Sequence, residues 1–372
     1  MSPAQSVRRV LHLCPDPHYL TDLYALYRQV LDRPPFESTL MFLRGALDAG
    51  LQAQLGPRVH FLDLPREALE GLRLPALWRL WRACGGQRFD LVVAHRYKAF
   101  TLALALRRLG VARHVFGVVH EIGQFEGRRR ELIRRIQTAP VTLIGVSEAV
   151  RADLAVRFPC LPSSQLRSLP NAVSDHPLLD PAQARAVLRL SPQRFWFGSV
   201  GRLVPVKGHD VLLRAFAALA RVHPDVGLAL VGSGRQEAAL RELGQRLGIA
   251  EQVAFCGWRS DVRALLSAFE VCVFPSREEG FGLAIAEAMA AARPVIASAT
   301  GGVPAVLGDQ GLLVPPEDAS ALAAVLERLY RSASERRQLA MAAHERWRSQ
   351  LSPPQFVARL RALACAAVGV EP

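Results

Sequence analysis

The chain has 372 residues, half of them apolar and 21% charged, with 46 Lys and Arg against 33 Asp and Glu for a formal charge of +13. That length exceeds one ordinary core and suits two domains, and the composition excludes a disordered or collagen-like chain. No apolar run approaches the ~18–20 residues of a membrane-spanning helix. Six widely spaced cysteines without a C-x-x-C pair argue against a disulfide framework or zinc site, and a reducing cytosol is the simplest setting.

Residues 1–14 read as a first strand rather than a signal peptide. Strand-like and helix-like stretches alternate from there. Strands are expected at 7–13, 38–43, 59–64, 90–94, 114–119 and 141–146, with helices near 19–31, 46–54, 75–84, 97–109, 127–137 and 147–157. A break over 158–192 carries six prolines and reads as the end of one domain plus a connector. The pattern restarts with strands at 195–200, 227–231, 253–257, 271–275, 294–298 and 311–314, and helices near 207–222, 235–247, 261–268, 283–292 and 318–331. A helical stretch over 333–368, broken at Pro353-Pro354, adds no strand. The expected class is α/β: two Rossmann-like, doubly wound parallel-sheet domains facing a central cleft. Their bounds are 1–180 and 181–345, with 346–372 as a terminal helix returning to the first domain.

The strongest local signal is the segment from Ser276 through Glu279, Gly280, Phe281, Gly282 and Leu283 to Glu287, where a strand turns into an alanine-rich helix. Glycines there let backbone N–H groups approach a ligand, and the helix N-terminus favours an anion. Glu279 sits at the turn and Glu287 about one turn inside the helix, enclosed by Ala284, Ile285, Ala286, Ala288 and Met289. The bland alternative makes them a loop residue and a solvated helix charge. The second signal is Gly201-Arg202-Leu-Val-Pro-Val-Lys207-Gly208, directly after the first strand of the second half. Two cations five residues apart can grip a diphosphate, and such charges count most on oxygens that gain charge as a bond breaks. Of the 46 basic residues, 44 are arginine and two, Lys98 and Lys207, are lysine, so a lysine at this place invites a reason.

Together these segments resemble glycosyltransferase family 4. Supporting matches follow in order: Val118-Val119-His120, Gly145-Val-Ser147-Glu, Leu169-Pro-Asn171, Val231-Gly-Ser-Gly234, Arg293-Pro-Val-Ile-Ala and Thr300-Gly-Gly-Val-Pro304. The resemblance implies the GT-B fold and a retaining hexosyltransferase whose substrate is a nucleoside-diphosphate sugar. It implies that Arg202 and Lys207 hold and stabilise the departing diphosphate. Glu279 and the amides of Phe281, Gly282 and Leu283, with Gly280 in the same turn, would bind sugar and phosphate; Glu287 would take the ribose hydroxyls; and His120 would approach the transferred sugar. The first domain would bind a glycan or glycolipid acceptor. The chain departs from the family pattern at Cys14–Tyr19, where a glycine-rich loop is usual, and at Ala172, Ala292 and Ala305.

No Asp-x-Asp occurs, so no metal is expected: none of the paired aspartates that would carry a divalent ion on the diphosphate are present. Residues 1–180 hold 24 Lys and Arg against 16 Asp and Glu, and 127–137 reads as a basic amphipathic helix, while Leu77–Arg82 mixes two tryptophans with two arginines. Such a surface suits an anionic acceptor and peripheral contact with the inner face of a cytoplasmic membrane, as in lipopolysaccharide-core or capsule assembly; no nucleic acid partner is expected. Three competing readings remain: a sugar-nucleotide epimerase, a glucan synthase, and a non-catalytic protein that binds anionic ligands on the same scaffold.

Overall fold

The computed structural model describes residues 7–17, 21–46, 55, 58–125 and 140–371. The helices expected at 46–54 and 127–137, and residues His18 and Tyr19, lie outside the described residues in whole or in large part. The chain divides into two compact units, Met1–Asn171 with Pro353–Pro372, and Ala172–Ser352. The segment 172–180 groups with the second unit because Val173 N donates to Leu351 O at 3.0 Å and Leu179 N to Ala264 O at 2.9 Å.

Unit one carries a seven-stranded sheet of β1 (Arg8–Cys14), β2 (Phe36–Phe42), β3 (Val59–Phe61), β4 (Phe89–His95), β5 (Ala112–Val119), β6 (Val141–Gly145) and β7 (Leu166–Ser168). The lateral order is β3-β2-β1-β4-β5-β6-β7, all pairs parallel. Strands covered on both faces read as near-continuous apolar runs, as in Leu91–Ala94, all fully buried. The helix Thr21–Leu31 packs against the terminal helix Pro353–Val368, with the Tyr27 and Phe356 rings 5.0 Å apart. The helix Glu148–Arg157 begins at Ser147, whose Oγ accepts from Val150 N at 3.2 Å and satisfies one orphan amide.

Unit two carries six strands: β8 (Phe195–Val200), β9 (Val226–Val231), β10 (Val253–Gly257), β11 (Val271–Phe274), β12 (Val295–Ser298) and β13 (Leu312–Val314). Their order, β10-β9-β8-β11-β12-β13, is parallel throughout. The core gathers Phe197, Phe216, Leu230, Val273 and Ile296, all fully buried. Strand order reverses at β8, between β9 and β11. In such sheets ligands bind outside the carboxyl ends of the strands at that reversal.

The proline-rich break hides two elements that sequence reading did not find: β7 and the helix Pro181–Leu188, whose first turn is capped by Asp180 accepting from Ala182 N. The short helix Val303–Leu307 was also not expected.

Candidate functional site

The reversal in unit two is flanked by the two segments singled out from sequence. After β8, Leu203 is fully buried and anchors the loop, donating from N to Ser233 O at 2.9 Å. A 3-10 turn Pro205–Lys207 follows, then Gly208 in the left-handed region at φ 66, and the helix His209–Ala220 begins. A Cβ on Gly208 would lie 2.0 Å from Pro275 O, so the loop rests directly on backbone beyond β11. This contact delivers Lys207 to its partner: Lys207 Nζ donates to Glu279 Oε2 at 2.5 Å. Ser276 Oγ donates to the same oxygen at 3.4 Å, and Gly302 N donates to Glu279 O at 2.9 Å.

Gly282, at φ 97, ends the turn and starts the helix Leu283–Ala290; a Cβ there would meet Ile285 Cδ1 at 2.9 Å. No side chain caps this helix, so its first amides, with Phe281 buried behind them, remain able to meet an anion. Arg202 is exposed and, among the described residues, its guanidinium has no hydrogen-bond or ion-pair partner. Glu287 is half-buried and lines a pocket with Ser174, Asp175, His176 and Arg263. Glu279 is not among that pocket's lining residues.

Arg277 is the residue that sequence reasoning missed. Its N donates to Val206 O at 2.8 Å and its Nη1 to Pro205 O at 2.5 Å, while Nη1 and Nη2 bind Asp210 at 2.9 and 2.8 Å. Its Nε also pairs with Glu317. One guanidinium thus locks the lysine-bearing turn to the glutamate-bearing turn. The hydrogen bonds it donates to Asp210 and then to Glu317 hold its pKa above the ordinary arginine value. Burial alone would raise the Asp210 carboxyl, but the Arg277 hydrogen bonds and charge outweigh it and hold it below the usual range. Nothing marks Arg277 in sequence, where it is one of 44 arginines.

His120 belongs to unit one, just beyond β5. Its N donates to Gln124 Oε1 at 3.3 Å, and its Nε2 lies 3.4 Å from Nδ1 of His95, the last residue of β4. His95 is wholly buried, with the rings of Tyr24 and Tyr27 edge-on at 4.9 and 4.8 Å. Burial first, and then the Arg96 charge, lowers His120 to about 3. Burial followed by Arg28 lowers His12 to about 3. Burial, with His120, His12 and Arg96, holds His95 well below the ordinary value. These imidazoles are therefore neutral at pH 7. Sequence reasoning missed His95 as well: it ends β4, and only the pairing of β4 with β5 sets it beside His120.

A pH dependence follows. A histidine depressed in the folded state contributes stability that is complete above the unfolded value near 6.5 and is lost as pH falls toward the folded value. From pH 7 to 5, where most carboxylates stay ionised, the unfolding free energy should fall by up to about 1.4 kcal/mol per pH unit for each of the buried pair His12 and His95. Chemical denaturation at stepped pH measures it; a flat profile over that window would mean these rings take up protons in the fold as readily as in the unfolded chain.

Among the described residues no cluster of three His, Cys, Asp or Glu side chains is placed to hold a metal ion, and no helix is long and apolar enough to cross a membrane.

Residues 29–176 match the family described as Glycosyltransferase Family 4, and residues 194–332 match Glycosyl transferases group 1. The chain belongs to glycosyltransferase family 4. It is 39% identical over 158 residues to the D-inositol 3-phosphate glycosyltransferase of Mycobacterium marinum, an alignment covering 41% of this chain and 34% of that protein. It is 32% identical over 235 residues to the GDP-mannose-dependent alpha-(1-6)-phosphatidylinositol monomannoside mannosyltransferase of Mycolicibacterium smegmatis, covering 58% of this chain and 60% of that protein. The matched region thus spans between a third and three fifths of the length of these two relatives. Among solved structures, Anabaena HepE in complex with UDP and glucose superposes with a TM-score of 0.78 at 20% identity, covering 97% of this chain and 99% of that one. That likeness establishes the GT-B fold, two parallel-sheet α/β domains, for this family 4 member.

Proposed function

We propose that this chain moves a hexose from a nucleoside-diphosphate sugar to a glycan or glycolipid acceptor, with retention at the anomeric carbon and no requirement for a metal ion. The place we assign it is assembly of lipopolysaccharide, another cell-surface polysaccharide or a related glycolipid, at the cytoplasmic face of a membrane. The observation that carries the reading is the Lys207–Glu279 contact of 2.5 Å at the strand-order reversal. A cation held by a carboxylate there is ready to exchange onto a diphosphate, while the freed carboxylate takes sugar hydroxyls. Arg202, exposed five residues earlier in the same loop, approaches the same phosphates, where its planar fork suits bidentate contact. Uncapped amides at Phe281–Leu283 add neutral donors, and Glu287 receives the ribose. His120, neutral at pH 7, acts toward the sugar as a hydrogen-bond partner and not as a cation.

In the transfer, the bond between the anomeric carbon and the phosphate oxygen breaks as the acceptor oxygen bonds to that carbon on the same face. The acceptor proton passes to the departing phosphate oxygen. Lys207 and Arg202 meet the charge that this oxygen gains, which is where fixed cations lower a barrier most. The named relatives support the donor class: one is called GDP-mannose-dependent, and HepE was solved with UDP and glucose. The smegmatis enzyme's name also supports a lipid-linked acceptor.

The test is incubation with UDP-, GDP- and ADP-hexoses and short glycolipid acceptors, with product configuration read by nuclear magnetic resonance. An α-linked product from an α-donor, formed at the same rate in EDTA, is expected. Inverted product would remove the retaining assignment, loss of rate in EDTA the metal-free one, and absence of transfer from every donor the proposal itself.

A further inference from the structure

In unit one, the helix Leu74–Ala83 buries Ala76 and Leu80 and turns a different side to solvent. At 100° per residue, Leu74, Trp78 and Trp81 fall within one narrow stripe, well away from the arc of Ala76 and Leu80. That stripe is open: Leu74 is 63% exposed, Trp78 55% and Trp81 50%, and Leu72 in the preceding turn reaches 89%. Arg79 and Arg82 are exposed, and Arg82 flanks the stripe, its guanidinium carbon 5.4 Å from the centre of the Trp78 ring. The turn is built, not loose. Arg73 adopts φ 58 and folds inward, its Nε donating to Leu69 O at 2.9 Å and its Nη1 to Thr101 Oγ1 at 2.9 Å, which leaves Leu72 outside. Residues 71–88 hold four arginines and no Asp or Glu.

We propose that this helix face docks on the surface of an anionic lipid bilayer. A core explanation fails for side chains at least half exposed, and an ordinary solvated face would not carry two tryptophans and two leucines in register. The chemistry selects the occupant. Tryptophan has an apolar body and one N–H, so it settles at the boundary between acyl chains and headgroups. Arginine beside it binds lipid phosphate while its stem lies along apolar surface. A stretch of eighteen residues without one acidic side chain would repel no anionic surface along its length. A protein partner would call for a receiving concavity or an acidic complement; a single helix ridge of tryptophan, leucine and arginine calls for neither. The inference deepens the proposed function by naming where a lipid-borne acceptor is met, and it rests on that reading for its purpose alone. The surface belongs to unit one and the donor residues to unit two, so docking and transfer can fail separately.

The experiment uses the full chain without donor, sedimented with vesicles of phosphatidylglycerol in phosphatidylcholine and with phosphatidylcholine alone. Binding to the anionic vesicles, weakened by salt, is expected, together with quenching of tryptophan emission by brominated lipid. The double variant Trp78→Ser/Trp81→Ser should partition at least about tenfold less, because most of the inserting apolar area is gone. Leu72→Ser, at an almost fully exposed turn position, should weaken binding in the same direction and serves as a second variant whose folding is not in question. Unchanged melting and unchanged donor-induced stabilisation in both variants would confirm that only docking was altered. Three results would overturn the proposal: no binding to anionic vesicles at low salt, equal binding by the double variant, or a vesicle-independent dimer that the double variant abolishes. The second would move membrane contact to another basic segment such as 127–137, and the third would make the stripe a self-association face.

Discussion

Replacing Lys207 by alanine is expected to lower kcat/KM by about 10²–10³, with most of the loss in kcat, by analogy with removing one preorganised charge-stabilising donor. The lysine ends a rigid turn, tied through Arg277 to the Glu279 loop, so its ammonium need not be recruited as the bond breaks. Little stability should be lost, because the Lys207 and Glu279 side chains keep 24% and 17% of their surface in water and partly exposed pairs contribute under about 1 kcal/mol. That combination separates a chemical role from a structural one. Lys207→Arg should not restore full rate, since a planar guanidinium cannot replace a compact point charge in the space before Glu279. Steady-state kinetics beside a melting curve settle it. A Lys207→Ala enzyme within threefold of wild type would remove the lysine from the diphosphate site.

Gly208→Ala is the second large effect, and it acts through the backbone. Its φ of 66 lies where a side chain costs about 1–2 kcal/mol, and the added Cβ would stand 2.0 Å from Pro275 O. Backbone cannot swing aside as a side-chain tip can, so an overpacking cost of about 1–3 kcal/mol adds to the first. Relief requires moving the Pro205–Lys207 turn away from β11, which carries Lys207 off Glu279. Turnover and stability should therefore fall together. Gly248→Ala is the matched control, because Gly248 has φ 72 but nothing within 4 Å of its added Cβ. It should show the backbone cost alone, with normal turnover. If the two variants were equally stable and active, the close approach of loop to strand would carry no functional weight.

Much of the candidate site was legible beforehand because each motif is local. Gly201–Lys207 and Ser276–Glu287 each announce a strand end, a turn and a helix start within a dozen or so residues, and most strand bounds agree within two residues. Arg277 was not legible. Its meaning depends on Asp210 and Glu317, which lie 67 and 40 residues away, and one arginine among 44 carries no mark. His95 escaped for a related reason: it meets His120 because β4 lies beside β5, and a histidine ending a strand looks the same wherever that strand sits. In the stretch 158–192, proline signals outweighed a three-residue strand and a two-turn helix, both too short to show periodicity.

The sequence by itself determined the alternation of strands and helices, the two-sheet α/β class, and the residue types offered at each turn. It did so because turn, cap and apolar-run signals act over a few residues. The tertiary structure alone decided which turns face each other. Buried parallel strands are near-interchangeable apolar runs, so their lateral order is not written in any one of them. That order, β9-β8-β11, sets Lys207 against Glu279 across 72 residues of chain.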